Sequence, residues 1–249
     1  MAKLRSKLRL QRGRLVDFSR TKCGEELADA IWFSIIDKMA KKRNFIDTTW
    51  SEKLAYVIGI IASDGNLSPD LRHINITSKD EEMLLNIKSA LGIKNTVGRK
   101  SRGGSRIKKY FVIQFGSHNF YEFLLQIGLT PAKSKTIKKV EMPDQYFRDF
   151  LRGCIDGDGN INVFTHPESK HPQLRIRLSS ASPLFLLWMQ KTIKNHTRVM
   201  GGWIEKQQSV SILNYAKSDA MILLNFMYYE NVRYYLTRKY TVGKRFLRM

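Results

Sequence analysis

Gly59-Ile60-Ile61-Ala62-Ser63-Asp64-Gly65-Asn66 and Gly153-Cys154-Ile155-Asp156-Gly157-Asp158-Gly159-Asn160 are the two stretches on which the fold turns. They agree at both glycines, one isoleucine, the aspartate and the asparagine, and their shared aspartates, Asp64 and Asp158, stand 94 residues apart. Each closes an apolar run with helical spacing. The first run, Leu54 to about Ser63, follows Thr49-Trp50-Ser51-Glu52, which has the form of a capping box. The second opens near Pro143, well suited to a first helical position, and continues through Phe147, Phe150 and Leu151.

Outward from these runs the chain repeats. After the first come the alternating stretch His73–Thr77, a capping pattern at Ser78-Lys79-Asp80-Glu81 and a helix ending at Gly92. Gly103-Gly104, a strand over Lys109–Phe115 and a helix through Phe120, Phe123, Leu124 and Ile127 complete this half. After the second run come Leu174–Ser179, Ser182-Pro183 as N-cap and first helical residue, and a helix to about Lys194. Gly201-Gly202-Trp203, a strand over Val210–Tyr215 and a helix from Asp219 to about Tyr229 follow. Each half reads αββαββα. The expected architecture is α+β, with two copies of that unit about an internal two-fold axis: a basic helical extension over residues 1–48, a first half over 49–140 and a second over 141–249.

The glycines explain how two such helices could meet. Gly59 and Ser63, like Gly153 and Gly157, are four residues apart, so each helix carries a stripe of small residues that lets backbones approach closely. Packed this way, the helices bring Asp64 and Asp158 together at their C-termini. That end of a helix disfavours a carboxylate by about 0.3–1 kcal/mol, and two neighbouring carboxylates repel further. A divalent cation between them reverses both effects, and hard oxygen ligands suit Mg²⁺. A single Asp-Gly after a helix is an ordinary cap and turn; two at equivalent places in a repeat call for more. Asp156, Asp158 and Asn160 also resemble the start of a calcium loop, but Ile161 stands where that loop needs glycine and Pro167 where it needs an acid.

Charge names the partner. The 249 residues carry 43 Lys and Arg against 22 Asp and Glu, a net +21, with 43% hydrophobic residues that suffice for a core. Such a surplus suits a polyanion, and the basic residues are spread along the chain instead of lining one amphipathic helix, which favours nucleic acid over anionic lipid. No apolar run reaches the ~20 residues of a membrane span. Two cysteines, Cys23 and Cys154, form no metal-ligand pair and suit a reducing intracellular compartment. The five histidines show no ligand spacing, and no phosphate loop of the ATP-binding type occurs. Residues 1–22 hold eight basic residues and one acid, as an organellar transit peptide or a nucleic-acid-binding arm would; the few serines favour the arm. Gly24–Lys42 has the spacing of an amphipathic helix.

Val57–Gly65 and Leu151–Gly159 resemble the LAGLIDADG motif of homing endonucleases, and the resemblance covers about residues 50 to 249. It implies a single-chain, pseudo-symmetric, monomeric endonuclease whose motif helices form the central interface and whose saddle-shaped antiparallel sheets lie in the DNA major groove. Asp64 and Asp158 map to the family's catalytic and metal-binding acids, and Ser63 and Gly157 to backbone carbonyls that help hold the ions. Two or three Mg²⁺ are implied, with Mn²⁺ able to substitute and Ca²⁺ binding without cleavage. Asp156 maps to the sixth motif position, without a catalytic role; Ala62 departs from the consensus there. The family's basic residue near the scissile phosphate maps to Lys239, in Leu236-Thr237-Arg238-Lys239, and to Lys133, with Lys135 a close rival.

Strand alternation indicates the wet faces. With Ile74 and Ile76 inward, His73, Asn75 and Thr77 face out; with Ile176 and Leu178 inward, Arg175, Arg177 and Ser179 do; Tyr110 and Gln114 oppose Phe111, Ile113 and Phe115. Arg, Asn and Gln can make bidentate contacts with base edges. Arg99, Lys100, Arg102, Arg106 and Lys108 surround a hairpin and suit phosphates. The resemblance places Asn160, Asn162, Lys206 and Gln208 on the same DNA-facing surface. The expected activity is Mg²⁺-dependent, site-specific hydrolysis of double-stranded DNA in the service of intron homing, in an intracellular, nucleoid or organellar setting. Two alternatives use the same scaffold: an RNA-binding maturase acting on its intron, and a DNA-binding regulator without nuclease activity.

Overall fold

The computed structural model describes residues 45–101, 107–165, 168 and 171–247. The expected helix over Gly24–Lys42, the basic arm of residues 1–22, and Arg102 and Arg106 lie outside the described residues. The first half runs α1 (Glu52–Ser63), β1 (Gly65–Leu67), β2 (His73–Ser78), α2 (Glu81–Leu91), β3 (Gly98–Lys100), β4 (Tyr110–Gly116) and α3 (His118–Gln126). The second repeats the order as α4 (Phe147–Asp158), β5 (Gly159–Thr165), β6 (Pro172–Ser180), α5 (Pro183–His196), β7 (Trp203–Lys206), β8 (Ser211–Ala216) and α6 (Lys217–Met227). A short helix, α7 (Thr237–Gly243), follows.

Both sheets are antiparallel, ordered β1-β2-β4-β3 and β5-β6-β8-β7, and their registers correspond. Gly65 sits opposite Ile76 as Gly159 sits opposite Leu178. Asn75 sits opposite Gln114 as Arg177 sits opposite Asn214. The duplicated αββαββα architecture expected from the repeat is therefore present, strand for strand.

The glycines set the centre. A Cβ on Gly59 would lie 2.1 Å from the Phe150 carbonyl oxygen, and one on Gly153 would lie 2.1 Å from that of Tyr56. At the aspartate end, a Cβ on Gly157 would lie 2.0 Å from Ser63 Oγ. α1 and α4 thus touch backbone to backbone, with no space for even a methyl group. Leu54 through Ala62 are all buried, because α1 has packing on every side and not along one stripe.

Several helix starts differ from the sequence expectation, two of them because a carboxylate has a tertiary partner. Ser51, not Thr49, caps α1, accepting from the Leu54 N–H at 3.4 Å. Pro143 precedes a single 3₁₀ turn, Asp144–Tyr146, and α4 proper begins at Phe147. Asp80 holds the cap position of α2 without capping it, since its carboxylate is taken by Arg238. α6 begins at Lys217, while the Asp219 carboxylate accepts from the Gly201 N–H at 2.8 Å. Ser182 caps α5 as expected, accepting from Phe185.

The segments that trail each half cross to the other one. After α3, the Ile137 carbonyl accepts from Ser182 Oγ at the start of α5. After α6, Thr237 donates its N–H to the Glu82 carboxylate, Arg238 forms two 2.7 Å hydrogen bonds with Asp80, and the Tyr235 carbonyl accepts from Asn86. Beneath that second tail lies Arg152, 1% exposed, which donates to Asp149 Oδ1, the Met227 carbonyl and the Tyr234 carbonyl at 2.7–2.8 Å.

Candidate active site

The close approach of α1 and α4 decides where the two motif aspartates end up. Asp64 Oδ2 lies 3.3 Å from where a Gly157 Cβ would be, so the carboxylate of the first half rests against the backbone that carries Asp158. Asp158 is exposed and lines an open cleft of about 170 Å³ shared with Ser63, Ser134, Ile137 and Ser179. The cleft draws on both halves. Burial nonetheless raises the Asp158 carboxyl above the usual range, with Lys133 and Lys239 acting against that rise.

Both lysines come from the crossing tails and both are 4% exposed. Lys133, on a 3₁₀ turn over Lys133–Lys135, donates to the Gly65 carbonyl just beyond α1. Ala132, before it, has φ +53°, a left-handed conformation that costs a non-glycine residue about 1 kcal/mol or more. Lys239, on α7, donates to the Ile155, Asp156 and Gly159 carbonyls at 2.6–2.8 Å, with Gly157 more distant at 3.4 Å. Lys135 is exposed.

An ammonium at a helix C-terminus meets the partial negative charge there. The cost that the sequence assigns to Asp64 and Asp158 is thus partly offset by the protein itself, before any metal is considered. Burial lowers the Lys133 pKa to about 8 against the opposing pull of Asp158 and Asp64. Burial likewise lowers Lys239 to about 8, opposed by Asp156 and, more weakly, by Asp64. Each lysine therefore feels the aspartate of the other half as well as groups of its own.

Asp156 acts on Lys239 from inside the fold. It is 1% exposed, and its Oδ2 accepts from the Tyr56 hydroxyl and the Leu236 N–H, both at 2.9 Å. Burial pushes its carboxyl up to about 6. It ties the first motif helix to the start of α7, and so fixes the element that delivers Lys239. Neither Asp156 in this position nor the Asp80 and Glu82 contacts to α7 were anticipated; the partners lie 80 to 158 residues apart, beyond any local pattern.

Among the described residues, no group of three or more His, Cys, Asp and Glu could hold a metal. Two carboxylates with nearby backbone carbonyls fit an ion that takes few protein ligands and fills its shell with water and phosphate oxygens. They do not fit a closed structural site.

The sheets place the remaining expected residues. His73, Asn75 and Thr77 on β2 alternate with buried Ile74 and Ile76, and Arg175, Arg177 and Ser179 on β6 alternate with buried Leu174, Ile176 and Leu178. Register puts Gln114 beside Asn75, Tyr110 beside Lys100, Asn160 beside Arg177, and Asn162 beside Arg175. The outward row of the second sheet continues through Asn214 to Trp203, which is 46% exposed. Asn66 occupies the first-sheet place equivalent to Asn160. Asn66 and Trp203 also belong to the outward rows, as by register does Asn214, which is 1% exposed and donates to the Ile212 carbonyl; the repeated Asp-Gly-Asn marks Asn66 in the sequence. Two basic residues fall on the other face. Arg99 pairs with Phe111, 5.0 Å from its ring, and Lys206 pairs with Ser211. Lys108 and Gln208 are exposed outside the strands.

A pair of central helices, each closed by an aspartate, flanked by two four-stranded sheets, has the LAGLIDADG fold, and residues 51–128 match the LAGLIDADG-like domain family. The second half repeats that domain's architecture. No curated protein sequence matches the chain. Among solved structures, full-length DUF199/WhiA from Thermatoga maritima is 15% identical with a TM-score of 0.51, covering 83% of this chain; the chain spans 64% of that protein's length. Meganuclease I-SmaMI bound to uncleavable DNA is 14% identical with a TM-score of 0.50, covering 81% of this chain and 89% of that one. At these identities the likeness is one of fold. Among the described residues no helix is long and apolar enough to cross a membrane.

Proposed function

We propose that the chain is a site-specific, divalent-metal-dependent DNA endonuclease of the homing type. The observation that carries this reading is the placement of Asp64 against the α4 backbone that carries the cleft-lining Asp158, with both aspartates within electrostatic reach of Lys133 and Lys239. Asp64 and Asp158, with the Ser63 and Gly157 carbonyls, would hold Mg²⁺, which supplies charge stabilisation at a phosphodiester and a water of lowered pKa. The protein's own part is positional. Asp64 is held against α4 by the glycine contact, and Asp158 faces the cleft. Lys133 and Lys239 set positive charge beside the place where phosphate charge must be neutralised. The outward rows of the two sheets supply the base-reading surface, and the net charge of +21 supplies affinity for the duplex backbone.

A second reading is binding without cleavage, and one observation favours it: the lysines compensate the helix ends, so the aspartates have a structural reason to persist. Cleavage of duplex DNA carrying the target decides between the two. For the first reading, wild type cuts in Mg²⁺ or Mn²⁺ and binds without cutting in Ca²⁺, while Asp64→Asn and Asp158→Asn each bind but do not cut. Undiminished cutting by both variants rejects the site. Sequence-specific binding by wild type with no cutting in any of the three metals establishes the second reading.

A further inference from the structure

Resting on the reading of the chain as a duplex-DNA binder, we infer that the two sheets select different bases: the β5–β8 sheet a guanine-bearing half-site through Arg175 and Arg177, the β1–β4 sheet an adenine-bearing one through Asn75 and Gln114. The registers make the comparison position by position. Arg177 lies between Asn160 and Asn214; its equivalent, Asn75, lies between Asn66 and Gln114. Arg175 has His73 as its counterpart on β2. The outward positions of β1, β2, β3 and β4 carry no guanidinium, since Arg99 belongs to the other face.

Two features coincide at these arginines, a buried Nε without an acceptor and, among the described residues, no carboxylate partner. Two guanidiniums elsewhere in the fold have carboxylate partners: Arg152 has Asp149, and Arg238 has Asp80. Among the described residues neither Arg175 nor Arg177 makes an ion pair, and the Nε of each is sealed from solvent without an acceptor. The Arg175 guanidinium also rests 4.6 Å from the centre of the Phe164 ring, which fixes its plane. A guanidinium partly stripped of water and left unpaired is costly, and a ligand offering two acceptors in one plane recovers that cost. Guanine presents such a pair, O6 and N7, in the major groove, whereas the amides of asparagine and glutamine match adenine N6 and N7. Phosphate could also take the arginines, but it would confer no base preference.

Selection of the full-length protein on a random-sequence duplex library in Ca²⁺, repeated for variants, tests this. The wild-type consensus should have one guanine-bearing and one adenine-bearing half. Arg177→Gln should reduce the preference for guanine at one position by about tenfold or more, and Asn75→Arg should create a guanine preference at the equivalent position of the other half. The gain in Asn75→Arg keeps the test decisive should melting curves reveal that Arg177→Gln is unfolded. A guanine preference unchanged in both Arg175→Gln and Arg177→Gln overturns the inference. So does uniform weakening without a change in base preference, the mark of phosphate contacts. In either case, sequence-specific binding itself leaves the DNA-binding reading intact. Folded wild-type protein that enriches no duplex sequence overturns both.

Discussion

Lys133 and Lys239 occupy equivalent places yet are held unequally. Lys239 makes three short hydrogen bonds to the end of α4, and Lys133 makes one to the carbonyl that follows α1. Replacing either with methionine keeps most of the apolar stem and removes the donor. Because a buried acceptor left without its partner costs about 1–3 kcal/mol, Lys239→Met should destabilise the protein by about 1–2 kcal/mol more than Lys133→Met, read by urea unfolding. Equal losses would mean that the carbonyls of α4 find other donors. The sequence identified these two lysines only by analogy with a family motif. Their physical role was hidden because Lys239 and its acceptors are separated by 80 to 84 residues, and no periodicity records such a contact. Asp64 and Asp158 were legible for the opposite reason: they repeat, each at a fixed offset from a glycine stripe.

At the scale of elements, α7 is too short to hold its position unaided and is fastened by the acids of α2. Arg238 holds the Asp80 carboxyl below the usual range, chiefly by hydrogen bonding. An acid whose folded pKa is depressed contributes stability above its unfolded pKa and loses it as pH falls through the folded value. Asp80→Asn should therefore be less stable than wild type at pH 7, by under about 1 kcal/mol given the exposure of the pair, and the gap should close below about pH 4. Thermal melts across pH 3–7 would check this; a gap that widened on acidification would refute the ion pair as its cause. Of the eight strands, β2, β4, β6 and β8 were legible to within two residues because alternation survives on a half-buried sheet, as at Ile74 and Ile76; the other four carry too little alternation to be placed. Helix starts were less so. Ser78-Lys79-Asp80-Glu81 has the form of a local cap and Asp219 that of a helix start, but the carboxylates of Asp80 and Asp219 serve tertiary partners.

For the whole molecule, charge is the controlling quantity. A net +21 on 249 residues implies that binding to DNA releases many counterions. With about 6–10 phosphates neutralised, affinity should fall about 10³- to 10⁵-fold between about 50 and 200 mM salt, linearly on a double logarithmic plot. A shallow slope in filter binding or fluorescence anisotropy would assign most of the surplus charge to some other purpose. Composition alone supports this expectation. Which of those charges lie on the outward faces of the sheets needed the register, which placed Arg175 and Arg177 outward but Arg99 and Lys206 on the reverse side.

The crossing tails have a consequence for the history written into the repeat. Each half finishes its own lysine site only by leaning on the other, through Ser182 in one direction and Asp80 with Glu82 in the reverse direction. The two fastenings use different chemistry, a hydroxyl on a carbonyl and carboxylates on a guanidinium and an amide. Two copies of either half would therefore not reconstitute a working whole: the duplicate parts have ceased to be interchangeable and now exist as a matched pair.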